Sequence, residues 1–90
     1  MNTTNQLKEI IDTEAELLWD NQVKEAMSQF PILMDAIQNY TQESVLSGRK
    51  SPEDIGSINH ILIEIMGAIE QRDYLLMADL LKYELYEMIV

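Results

Sequence analysis

Apolar residues recur at three- and four-residue spacing along almost the whole chain, the period of an α-helix that buries one side. Leu7, Ile10, Ile11, Leu17 and Leu18 fall within about a third of a turn of one another at ~100° per residue. From Trp19 the stripe moves round, and Trp19, Val23, Ala26, Met27 and Phe30 define a second face. That rotation fits either one helix wrapping across two neighbours or a break near Asp20 and Asn21. The single helix is preferred, from about Asn5 to Ser28, with Thr3 or Thr4 as its cap. Pro31 sets the next boundary, because the residue before a proline is pushed out of the helical region and the ring cannot accept a preceding turn. Proline is favourable at a first helical position, so a second helix starts there. It carries Leu33, Ile37, Tyr40 and Ser44 at helical spacing, with Met34 and Val45 alongside. A kink at Pro31 within one long helix is the alternative.

Ser47-Gly48-Arg49-Lys50 reads as a loop, with Gly48 suited to the left-handed residue past a helix end and the two cations near a carbonyl terminus. Ser51-Pro52-Glu53-Asp54 is the clearest helix start: serine caps, proline takes the first position, and two carboxylates meet the positive end of the dipole. A third helix follows from Pro52 to about Gln71, with Ile55, Ile58, Leu62, Ile65, Met66 and Ile69 as its core stripe. Arg72-Asp73-Tyr74 is a tight turn in which Asp73 caps a fourth helix running through Met88, with a helix continuous through Asp73 as the competitor. These elements predict an all-α, single-domain protein over residues 1–90, an up-down four-helix bundle made of two helical hairpins. A three-helix form with a kink at Pro31 is the runner-up.

Composition narrows the chemistry. Apolar residues make up 47% of the chain, so even 90 residues hold a substantial core. Cysteine is absent, which removes disulfides, thiolate catalysis and metal sites built on sulfur. Sixteen acidic residues against six basic ones give a net charge of −10, which argues against nucleic acid and anionic membranes as partners. The acidic N-terminal segment is unlike a secretory signal, and a cytoplasmic location is expected. His60, the one histidine, has Glu64 a turn away on a face turned from the Ile/Leu stripe, which fits a solvated pair better than a metal site. Glu14 falls at the edge of the first stripe and reads as a rim carboxylate reaching water or a lysine. No hydroxyl has a basic partner to activate it, and no glycine-rich phosphate loop is present. No catalytic, cofactor-binding or metal residue is expected, no cofactor is implied, and an enzyme is the least supported class.

The fourth helix is the most informative. Tyr74, Met77, Leu81, Leu85 and Met88 form one apolar stripe, and Leu76, Leu80 and Tyr83 a second. A helix apolar around most of its circumference is either central or covered by something else, and no helix of a small four-helix bundle is central. Leu76, Leu80 and Tyr83 are therefore the expected partner-binding residues. Trp19 sits where the first stripe rotates; a core anchor is its preferred reading, and an exposed hot spot that joins the partner-binding set is the other.

The run Asp73-Tyr74-Leu75-Leu76-Met77-Ala78-Asp79-Leu80-Leu81-Lys82-Tyr83-Glu84-Leu85 resembles the C-terminal pattern D-Y-x-L-x-A-D-L-L-x-Y-E-L of small uncharacterised bacterial all-helical proteins. The resemblance implies the helix–turn–helix reading and a bacterial source, and it carries no activity. In general shape the chain is also similar to secretion and flagellar export chaperones that clasp an amphipathic helix, a likeness of architecture alone.

The expected function is a non-enzymatic protein-interaction module, chaperone- or adaptor-like, that binds a protein partner or forms a homo-dimer through an apolar helical face. The alternative is an acidic inhibitor, antitoxin or nucleic-acid mimic whose carboxylates occupy a basic cleft. That alternative predicts steeply salt-dependent binding, the first weak salt dependence.

Overall fold

The computed structural model describes residues 3–89, which form four helices with no strand among them. They are α1 (Thr3–Trp19), α2 (Val23–Leu46), α3 (Pro52–Glu70) and α4, which opens as Tyr74–Asp79, widens into a π-helix over Leu80–Leu85 and closes as Tyr86–Met88. The first three helices end in the same way. A residue in the left-handed region (Asn21 at φ 62°, Gly48 at 77°, Arg72 at 56°) follows each. The next amide then reaches back over the last turn: Gln22 to the Leu17 carbonyl at 2.7 Å, Arg49 to Ser44 at 3.0 Å, Asp73 to Ala68 at 2.8 Å. These paired bonds satisfy carbonyls that a helix end leaves open and reverse the chain within a few residues.

The first boundary is not where the sequence places it. No helix runs from Asn5 to Ser28; the chain turns at residues 20–22, and Pro31 lies exposed inside α2. The reason is the phase of the apolar stripe. Ala26, Leu33, Ile37, Tyr40 and Ser44 are all buried and keep helical spacing straight across Pro31, whereas the α1 stripe ends at Leu18. A break at Asn21 lets both stripes face one core, at the cost of one missing amide opposite Met27. Thr3 and Thr4 are already helical, and the Thr3 hydroxyl donates to Glu43 of α2 at 2.7 Å. At the start of α3 the reading holds: the Ser51 hydroxyl accepts from the Asp54 amide, the Asp54 carboxylate accepts from the Ser51 amide, and Pro52 takes the first position. The Ser51 amide, and the Ser51 hydroxyl donating to the same carboxylate oxygen at 3.1 Å, hold the Asp54 carboxyl below its usual range. Asp73 caps α4, accepting from the Leu76 amide at 3.1 Å.

Cross-helix contacts set the topology. Thr3 meets Glu43, the Lys8 ammonium lies 5.0 Å from the Tyr86 ring, and the Lys50 ammonium donates to the Met88 carbonyl at 2.8 Å. Each helix thus runs opposite to the next, and α1 opposite to α4, an up-down bundle. Lys50 serves the carbonyl end of α4 rather than that of the helix it follows. The core is drawn from all four helices, with Leu7 and Ile11, Leu33 and Tyr40, Ile58 and Ile65, and Leu81 and Leu85 buried together. The bundle is not evenly closed. α1 packs on α2 and α4, and α3 packs on α4, but α2 and α3 meet only sparsely. Among the described residues no helix is long and apolar enough to cross a membrane.

The π-helical stretch explains how α4 covers the core. Met77, Leu81, Leu85 and Ile89 are buried at intervals of four residues. In a 3.6-residue helix each such step drifts by about 40°, which would carry Ile89 roughly a third of a turn off the core. The wider turns, marked by the Tyr86 amide donating to Leu81 five residues back, hold the four in line.

Candidate interaction surfaces

On the outer side of the α1/α4 seam, Lys82 of α4 is bonded to Asp12 of α1, which holds its ammonium above the usual range. The Tyr86 ring lies between two cations, with Lys82 at 4.1 Å and Lys8 at 5.0 Å from its centre. Nearer the other end of the seam, the Trp19 and Tyr83 rings meet with centroids 6.2 Å apart and planes tilted by 43°. Both remain in water, at 40% and 65% exposure.

The predicted partner-binding set therefore divides. Trp19 is not a core anchor: it ends α1 at the turn and projects over the seam onto Tyr83. Leu76 is exposed two helical turns from Tyr83 on α4. Leu80 is a correction, because at 5% exposure it belongs to the core. The π-helical turns that begin there rephase the helix, so one straight stripe through residues 76, 80 and 83 does not form. Leu75 is exposed, and Lys82 and Tyr86 are half-buried against α1.

Glu14 also differs from its reading as a rim carboxylate. It is 2% exposed, and neither carboxylate oxygen has a hydrogen-bond partner. The residues three and four positions away on α1 are Ile10, Ile11, Leu17 and Leu18, and burial pushes its pKa up to about 7. The Ser44 hydroxyl of α2 is buried and unpartnered as well. His60 and Glu64 pair at 3.0 Å on an exposed face of α3, and no group of three potential ligands gathers among the described residues.

The sparse α2/α3 seam holds a trough that sequence reasoning missed. One end, of about 450 Å³, is lined by Thr41, Gln42, Val45, Leu46 and Ile55. The other, of about 250 Å³, takes in Met34, Asp35 and Leu62 and shares Thr41 with the first. A signal for it was present in α3. Its buried arc is Ile58, Ile61, Ile65 and Ala68, rotated from the expected stripe, which leaves Ile55 and Leu62 half-covered and Met66 in water. The apolar arc of α3 is wider than the face that its neighbours cover.

A family model described as "Domain of unknown function (DUF8042)" matches residues 1–89. No curated protein and no solved structure matches the chain.

Proposed function

This chain belongs to the DUF8042 family, and we propose that it is a non-enzymatic interaction module that binds a protein partner, or a second copy of itself, through the outer face of the α1/α4 seam. The observation that carries this reading is the exposed Trp19–Tyr83 ring pair, with Leu76 further along the same helix. Large aromatic side chains held together in water by their own helices offer contact area with little left to order on binding. The buried Leu80 and the Lys82–Asp12 bond fix the helices that present them.

Absolute mass by light scattering across a concentration series, for the parent and for Trp19→Ser/Leu76→Ser/Tyr83→Ser, is the first test. A parent dimer that the triple variant splits with unchanged helicity supports a self-interface. For a monomeric parent, a partner captured from the source lysate by the parent and lost by the folded variant supports a heteromeric one. Capture that is undiminished by the triple substitution overturns the assignment to this face.

A further inference from the structure

We propose that the open seam between α2 and α3 is a second docking surface, a groove for a cationic amphipathic helix of another protein. It lies across the bundle from the Trp19–Tyr83 face and stands or falls separately from it.

Three of the four seams of the ring are closed by packing, and the α2/α3 seam is not. Its two cavities share Thr41 and follow one another along α2, and together they make the trough. From Met34 to Leu46 the α2 wall is about 18 Å long at 1.5 Å per residue, room for roughly three turns of a helix. The floor is apolar (Met34, Val45, Ile55, Leu62), and amide side chains such as Gln38 and Asn59 stand along its walls. An occupant therefore needs one apolar stripe of about three turns, the helix-in-groove mode.

Charge selects among such helices. Among the described residues, Asp35 is the only charged one that lines the trough. Beyond Lys24 neither α2 nor α3 carries a lysine or arginine, against seven acidic residues on the two helices. The cations of the loop between these helices are turned away: Lys50 to the Met88 carbonyl, Arg49 to Thr4 and Glu43. The field over the groove is thus negative, which attracts a helix flanked by Lys or Arg. A second copy of a chain of net charge −10 is disfavoured by the same field.

The test uses the full chain and a fluorescent, end-capped amphipathic peptide of about 14 residues built from Leu and Lys, followed by anisotropy, with a Leu/Glu peptide as comparison. The expected result is saturable one-to-one binding, with the Lys peptide at least roughly tenfold tighter than the Glu peptide. Val45→Lys/Leu46→Lys, both at exposed positions, weakens it by a similar factor, and Trp19→Ser/Tyr83→Ser leaves it unchanged. Asp35→Asn, which removes the charge and keeps the shape, weakens it several-fold at low salt and little at about 0.5 M salt. Four outcomes overturn the proposal. In one, Val45→Lys/Leu46→Lys binds like the parent. In another, salt abolishes all binding, the behaviour of a charge-only decoy. In the third, a parent dimer is split by that double variant, which puts a second copy in the groove. In the fourth, binding is lost in Trp19→Ser/Tyr83→Ser alone, which assigns the peptide to the other face.

Discussion

Glu14 shows how one side chain sets a pH dependence for the whole fold. Its carboxyl is buried among aliphatic neighbours with nothing to bond, so the charged form is disfavoured and the folded pKa rises from 4.5 to about 7. In the unfolded chain it ionises near its ordinary value. Below about pH 4.5 both states hold the proton and Glu14 carries no ionisation cost. Between that pH and about 7 the folded state binds the extra proton, so stability falls as pH rises, and above 7 the loss levels off. A shift of that size corresponds to roughly 3 kcal/mol. Glu14→Leu is expected to raise stability at pH 8 by about that amount relative to pH 4, and to remove this part of the slope. Urea titrations of parent and variant at several pH values check it; parallel curves would mean that Glu14 is hydrated in solution. Its burial was not legible in the sequence. Periodicity places a residue at an angle on its helix, but the neighbouring helix decides whether that angle faces water.

Among the elements, α2 carries the plainest internal cost. Pro31 removes an amide from the middle of a 24-residue helix and leaves the Met27 carbonyl without its usual donor. Pro31→Ala restores that bond, offset in part by a looser unfolded chain, and is expected to stabilise the protein by about 2 kcal/mol. Thermal melts check it; an unchanged or lower midpoint would mean that the bundle needs the backbone geometry that Pro31 imposes. The same residue shows which signals sequence carries well. Ser51, Pro52 and Asp54 were legible because a cap is completed by residues next to one another. Asp73 was legible for the same reason. The turn at Asn21 was not, because proline is a stronger local signal than asparagine, and only the shared core of α1 and α2 reverses that order. The π-helical turns of α4 answer to Met77, Leu81, Leu85 and Ile89 fitting one line against the core between α1 and α3, a tertiary demand with no local signature. That is also why Leu80, expected at an interface, is buried.

The whole molecule combines a well-filled centre with a strongly one-signed surface. Cross-helix ion pairs take up few of the sixteen acidic side chains, and the remaining like charges repel across a body only 38 × 26 × 19 Å in extent. Raising ionic strength from about 0.01 to 0.15 M shortens the screening length from ~30 to ~8 Å, and the melting temperature at pH 8 is expected to rise by several degrees. A fall would mean that the Lys82–Asp12 pair outweighs the repulsion. The four-helix architecture was legible from stripe counting, because every helix contributes its own apolar face. The two surfaces were less so. The trough exists because one seam of the ring is left unpacked, and the Trp19–Tyr83 contact because α1 ends at Trp19 while packed along α4.

Trp19, the single tryptophan, stands beside Tyr83 and half in water, so the tryptophan fluorescence of the native protein, excited where tyrosine does not absorb, reports on one patch alone. A ligand that covers the α1/α4 face must shift that emission to the blue and shield it from iodide. A helix lying in the α2/α3 trough leaves both unchanged. The chain thus carries its own optical label, and a spectrum taken before and after adding any binder tells which side of the bundle was used.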